Sequence, residues 1–213
     1  MPGYPGSSAA LFFAKKGYWV FVPRYRGSWE SGGAFLRSEP TKDVIDVIDS
    51  LPQVFNDLWN RRRYKVKPDE LYVFGSSFGG PAAIFASLDK RVTKAIAISP
   101  VIDWRDMRNT DEPLDWMFSL VRNTFGNAYR VTKLNWNKLK TGKFYNPMTA
   151  SGQINSSKLL LIHAKNDTTC RYTMTKRFAN KNKIKLITLN KGGHLGTSFL
   201  VKPLVYRKIK AFL

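Results

Sequence analysis

The sequence predicts an α/β fold built on a mainly parallel sheet with helices on both faces, and three observations carry that expectation. Short β-branched and aromatic runs alternate with segments of helical pattern along the chain. Four of these runs are apolar almost throughout, as strands covered on both faces should be; a half-exposed strand would alternate. The 213 residues and 43% hydrophobic content suffice for one domain with a real core.

In chain order, Ser8–Lys16 reads as a helix and Tyr18–Val22 (YWVFV) as the first strand. The segment from Thr41 to Asn60 has helical pattern, with Thr41 suited to an N-cap and Pro52 set to kink or divide it. Leu71–Phe74 (LYVF) reads as a strand, Pro81–Leu88 as a helix and Ala95–Ile98 (AIAI) as the next strand. No strand pattern then appears until Leu159–Ile162 (LLLI). The intervening stretch, about 103–157, holds three tryptophans and two helix-like segments, and reads as an insertion at one end of the sheet, either a lid over a pocket or a packed helical excursion. Arg171–Asn180 reads as a helix and Ile184–Leu189 as the last strand. A closing helix around Ser198–Leu213 must accommodate Pro203. The whole of 1–213 is expected to form one domain.

Composition narrows the function classes. No apolar run is long enough to span a membrane, and the N-terminus lacks the basic start and cleavage site of a signal peptide. Cys170 is the single cysteine, so no internal disulfide can form and a cytoplasmic setting is expected. With two histidines, a Cys/His zinc cage is not expected, and nothing calls for a cofactor. The net charge of +20 is uneven: residues 116–213 carry 19 basic side chains and one acid, Asp167. That asymmetry suggests an anionic partner or a broadly basic proteome, and it makes Asp167 conspicuous.

Gly75-Ser76-Ser77-Phe78-Gly79 matches G-x-S-x-G and puts Ser77 in the nucleophile position. The bare pattern would arise by chance in about one chain in fifteen of this length, but here a strand leads in and a helix signal leads out. A serine on such a turn has a strained backbone that exposes its hydroxyl, and small flanking residues let strand and helix approach. The alternative is a plain glycine-rich turn. A serine hydroxyl needs a base, usually histidine. His163 ends an apolar strand, where a packed or hydrogen-bonded structural role is expected. His194 lies in the glycine-rich loop Lys191-Gly-Gly-His-Leu-Gly196 after the last strand, where catalytic side chains collect, and is the better base. Asp167, in the loop after Leu159–Ile162, supplies a carboxylate to orient the imidazole, although it would also suit a turn or a helix cap. The chain order is then serine, acid, histidine, each at a strand's end.

These residues resemble an α/β-hydrolase, and most closely the catalytic domain of the prolyl-oligopeptidase (S9) peptidase group. The likeness extends beyond the elbow to Ala14–Arg26 with Gly27-Ser28, to Ser99–Trp104, to Leu160–Asp167 and to Gly192-Gly193-His194, and is weakest over 105–140. It implies a serine hydrolase that cleaves an amide or ester bond of a small peptide or ester through an acyl-enzyme, using Ser77, Asp167 and His194. It also implies an oxyanion hole made by the backbone N–H groups of Tyr4, in the loop Pro2–Gly6, and of Phe78. The family strand that would precede this loop has no counterpart, so N-terminal strands appear absent, and the resemblance implies a natural product longer than the chain or, failing that, an inactive relative. A different class of reading is a polyanion-binding protein on a hydrolase scaffold: Arg61–Lys67 is a compact basic run, and Arg122–Lys143 interleaves basic residues with Tyr129 and Trp136.

Overall fold

In the computed structural model, which describes residues 7–213, four parallel strands carry the fold. Helix α1 (Ser7–Ala14) is followed by α2 (Pro40–Ser50) and by a small antiparallel hairpin of β1 (Val54–Asn56) and β2 (Arg63–Lys65). Then come β3 (Tyr72–Ser76), α3 (Gly80–Ala86), β4 (Lys94–Ile98), α4 (Leu114–Phe125), α5 (Lys133–Asn137), β5 (Leu159–Ala164), α6 (Tyr172–Lys181), β6 (Lys185–Leu189) and α7 (Pro203–Lys210). The main sheet has the order β3-β4-β5-β6, each strand parallel to its neighbour.

The period-two alternation of a strand sorts the core into two layers. Ala95, Ala97, Leu159 and Leu161 face one side, where they bury Ile48 of α2, Ile84 of α3 and Phe178 of α6. Ile96, Ile98, Leu160 and Ile162 face the other, against Phe13 of α1, Leu200, and Val205 and Ile209 of α7. All eight of these strand side chains are fully buried, and each leucine or isoleucine among them contributes about 1.5–3 kcal/mol by leaving water. This double coverage explains why the strands read as unbroken apolar runs.

The helical stretch between β4 and β5 forms a third, aromatic cluster. Trp104, Trp136, Tyr129 and Tyr145 are fully buried together with Phe35 and Phe78. Their polar atoms are largely partnered: Trp104 Nε1–H donates to the Tyr145 carbonyl at 2.5 Å, and Trp136 Nε1–H to that of Leu114 at 2.8 Å. Much of the basic charge in this stretch is also engaged. Arg130 donates to the carbonyls of Gly33 and Trp29, Lys138 to those of Leu36 and Arg37, and Lys133 and Lys140 both reach Asp115. Since the Tyr129 and Trp136 rings are enclosed, neither is available to stack on a nucleic-acid base.

Four sequence expectations are corrected. The N-cap position of helix α2 is Glu39, which makes no side-chain cap, and Pro40 is in the first turn, so Thr41 lies inside the helix. Beyond α2 the chain does not resume a helix after Pro52 but turns back as the β1–β2 hairpin, whose loop is held by Asp57 accepting from the N–H groups of Trp59 and Asn60. The basic run 61–67 therefore includes a short strand rather than a helix end. The closing helix is split, with a 3₁₀ turn at Thr197–Val201 before α7, and Pro203 opens α7, where its missing N–H costs nothing.

The fourth correction is the largest. Tyr18–Val22 forms no strand. A strand needs a ladder partner, and β3 pairs only with β4 among the described residues. Side chains meet across the space, with Phe13 and Phe74 ring centroids 5.1 Å apart and those of Tyr18 and Tyr72 6.1 Å apart, but the two backbones do not pair. A cleft of about 350 Å³ lies between them, lined by Trp19, Phe21, Val73 and Phe74 among others. Trp19 is left 58% exposed and Phe21 37%. An environment-sensitive dye such as ANS is accordingly expected to bind the folded protein. The double substitution Trp19→Ser with Phe21→Ser should remove most of that fluorescence while leaving the far-UV circular dichroism unchanged.

Candidate active site

Parallel strands deliver their following loops to one edge of the sheet, and the three residues singled out in the sequence sit in or just beyond the turns after β3, β5 and β6. After β3 the chain makes a 3₁₀ turn, Ser77–Gly79, before α3. Ser77 has φ +50°, a left-handed conformation that costs a non-glycine residue about 1–3 kcal/mol. The turn is tight enough that a Cβ on Gly75 would stand 2.1 Å from the Gly79 carbonyl oxygen, and one on Gly80 would stand 2.5 Å from Pro100 Cβ. Only glycine fits at either place. The Phe78 side chain anchors the turn in the aromatic cluster, stacked on Phe35 at 5.5 Å, and its carbonyl accepts the Tyr145 hydroxyl at 2.7 Å. The Ser77 carbonyl accepts the Val101 N–H at 3.3 Å.

Asp167 follows β5 in a tight turn in which its Oδ1 accepts the N–H groups of Thr169 at 3.0 Å and Cys170 at 2.9 Å. It is thus a turn residue and, at the same time, the partner of His194: His194 Nδ1 lies 2.9 Å from Asp167 Oδ2 and 3.1 Å from Oδ1. The carboxylate is wholly buried, whereas the His194 side chain remains 28% exposed. Burial alone would push the Asp167 carboxyl up. Hydrogen bonds from His163, His194 and the Cys170 N–H outweigh it and hold the group well below the usual carboxylate range.

The loop carrying His194 is fixed on both sides of the histidine. Gly193 N–H donates to Asn166 Oδ1 at 3.0 Å, and Leu195 N–H donates to Ser99 Oγ at 3.1 Å. Ser99, fully buried just past the end of β4, itself has φ +42°. Ser99 and Asn166 were not singled out from the sequence. A polar residue closing an apolar strand, and an asparagine beside the acid, were the available signals. His163 is also more engaged than its position at a strand end suggests, with Nε2 3.0 Å from Asp167 Oδ2.

The acid and the base are therefore hydrogen-bonded, while among the described residues Ser77 Oγ makes no hydrogen bond to His194. Tyr4 and the loop Pro2–Gly6 lie outside the described residues. No group of three or more histidine, cysteine or acidic side chains among the described residues is arranged to hold a metal ion, and no helix among them is long and apolar enough to cross a membrane. The arrangement can abstract a proton at His194 Nε2, stabilise the resulting imidazolium through Asp167, and present a hydroxyl on a strained turn.

The model of the prolyl oligopeptidase family matches residues 6–213. Among solved structures, an esterase of Pyrococcus furiosus is similar at 21% identity and a TM-score of 0.68, over 97% of this chain and 74% of the other. An α/β hydrolase from Penicillium sp. is similar at 17% identity and a TM-score of 0.62, over 100% and 85%. The acylaminoacyl peptidase of Pyrococcus horikoshii is similar at 18% identity and a TM-score of 0.53, over 88% and 29%. No curated protein sequence matches the chain.

The depressed Asp167 carboxyl makes a pH prediction. Its folded-state pKa lies below the unfolded value of about 3.9, so its stabilising contribution is fully present above that pH and is lost as the pH falls through the folded pKa. In urea titrations between pH 7 and pH 3, Asp167→Asn should be less stable than the parent at neutral pH and should lose less stability on acidification.

Proposed function

The chain belongs to the prolyl oligopeptidase family and is a hydrolase of the α/β type; on that premise we propose that it cleaves an amide or ester bond by serine nucleophilic catalysis. Ser77 Oγ attacks the carbonyl carbon as His194 Nε2 takes its proton, while Asp167 accepts from His194 Nδ1–H and so keeps Nε2 aimed outward. The backbone N–H of Phe78, with that of Tyr4, stabilises the oxyanion of the tetrahedral intermediate. His194 returns the proton to the departing amine or alkoxide, leaving an acyl group on Ser77. Water, deprotonated by the same imidazole, then releases the acid and regenerates the serine.

The observation that carries this reading is the pairing of the exposed His194 with a buried Asp167 held by two backbone N–H groups. That is the orienting half of a charge-stabilised base, and a merely structural turn would have no need of it. The positive φ of Ser77 on a glycine-walled turn supports the nucleophile assignment. Residues 1–213 are taken as one catalytic domain with an insertion at about 103–157; of its two readings, lid or packed helical excursion, the buried packing of Trp104 on Phe78 at 5.4 Å supports the packed one. The family favours a small peptide as substrate; the similar P. furiosus structure is named as an esterase, and both bonds yield to the same machinery. A cytoplasmic setting is consistent with the single, buried cysteine.

A fluorophosphonate probe is expected to label the folded protein, and Ser77→Ala to abolish that labelling. Labelling that persists in Ser77→Ala, or a folded parent that does not react, would overturn the assignment. His194→Ala should lower kcat/KM for a p-nitrophenyl ester by about 10⁴-fold or more. Asp167→Asn should also lower it steeply, because the asparagine amide favours the wrong imidazole tautomer. A comparison of p-nitrophenyl acetate with acylaminoacyl p-nitroanilides would assign the preferred leaving group.

A further inference from the structure

Asp167 does not serve His194 alone. Its Oδ2 also lies 3.0 Å from Nε2 of His163, a side chain with no solvent exposure. The same Nε2 is 2.9 Å from the Cys170 carbonyl, and Nδ1 is 2.8 Å from Thr175 Oγ1 on α6. Both groups facing Nε2 are acceptors, so the hydrogen-bond network assigns the ring hydrogen to Nε2 and lets the Thr175 hydroxyl donate to Nδ1.

Position 163 has no need of a polar residue for the sheet's sake. Leu159, Leu161 and His163 share one strand face, and the residues on either side, Ile162 and Ala164, are buried and apolar. An apolar side chain would continue the core, whereas a buried imidazole must be desolvated and matched at both nitrogens. Here it is matched, and one of its partners is the acid.

We propose that His163 is a positioning residue for the catalytic acid: Thr175 holds the His163 ring, and the ring's Nε2–H holds Asp167 Oδ2 in the orientation that meets His194 Nδ1. The proposal rests on the triad reading above. It describes a continuous chain, Thr175–His163–Asp167–His194, that ties helix α6 and strand β5 to the exposed base. Oδ1 is fixed by the turn's own N–H groups and Oδ2 by His163, so the carboxylate cannot rotate away. Oδ2 is also shared between two donors, which tempers its pull on His194.

The groups facing this chain from the packed elements are Tyr172, whose ring meets His163 edge-on at 5.9 Å, Thr175 and Cys170. Further charges beside it are Glu112, whose carboxylate accepts from Thr169, and Asp106, paired with Arg171. Apart from Thr175, which is varied deliberately, all are left intact in the test.

The test measures fluorophosphonate labelling rates across pH for the parent, His163→Phe, His163→Gln and Thr175→Val, with rates normalised to the folded fraction. His163→Phe keeps a planar ring, somewhat larger than imidazole, and removes the donor. Its plateau rate should fall by about tenfold to a hundredfold, and the acid limb of its profile should move to higher pH, because His194 becomes the sole side-chain donor to Oδ2. His163→Gln restores an N–H at the Nε2 position and should recover most of the rate and the parental limb. Thr175→Val, of the same shape as threonine, should move rate and limb in the same direction by less. If His163→Phe does not fold, His163→Gln and Thr175→Val decide. Variants that fold and label at the parental rate, with the parental limb, overturn the proposal. So does a reduced folded fraction whose rate and limb are unchanged, since that is what a packing role alone would give. A parent that fails to label, or labelling that survives Ser77→Ala, would instead sink the triad reading and this inference with it.

Discussion

Parallel pairing of β3 through β6 forces the chain to leave every strand at the same edge of the sheet, and the chemistry of this protein depends on that constraint. Ser77, Ser99, Asp167 and His194 belong to four different turns, and none of them is near another in sequence except through the ladder. The register that sets Ile98 beside Ile162 and Ser76 beside Ile98 also sets the starting points of those turns. Each turn then needs only short-range devices to aim its side chain: a positive φ at Ser77, two N–H groups around Asp167, and a hydrogen bond on either side of His194.

The electrostatics follow from the same economy. Residues 116–213 are strongly basic, yet their one acidic side chain, Asp167, lies in the interior, wrapped by donors that carry no formal charge or, like the two imidazoles, need not carry one. A buried carboxylate with a lysine or arginine as its partner would be neutralised and of little use to a base. Histidine and backbone donors instead leave the charge un-neutralised, as the proposed triad requires. Outside the interior, lysines and arginines of the helical stretch reach across to carbonyls of residues 29–37, so a basic composition here serves the fold as well as the surface.

The central part of the fold was legible because its signals are local. The unbroken apolar runs at 95–98 and 159–162 are strands, since two-sided burial demands apolar residues at every position, and most of the run 71–74 is a strand as well, though half-buried beside the cleft. The glycines around Ser77 announced a tight turn, and the turn is tight. What failed were expectations that rest on a partner. Tyr18–Val22 has a strand's composition, but composition does not supply a ladder, and without one the segment forms no strand. Residues beyond Pro52 kept a helical spacing, but Asp57 offered its neighbours a turn and the chain folded back. At the site, the loops offered Asp167 and His194 as candidates, and the structure brings those two within hydrogen-bonding distance. The roles of Ser99, Asn166 and His163 could not, because each acts on a residue far away in sequence and is recognisable only once the strands are aligned.

Among the described residues β3 has no ladder partner on the side facing the aromatic run 18–22, and that edge has a colloidal consequence. An unpaired strand edge next to exposed aromatic rings is a template on which a second molecule can add. What opposes such addition is the formal charge of +20 carried by every copy, a repulsion that acts over the Debye length. That length is about 10 Å at 0.1 M salt and about 3 Å at 1 M. Ionic strength is therefore expected to influence whether solutions of this chain stay monodisperse, with dilute buffer keeping such edges apart and concentrated salt letting them meet.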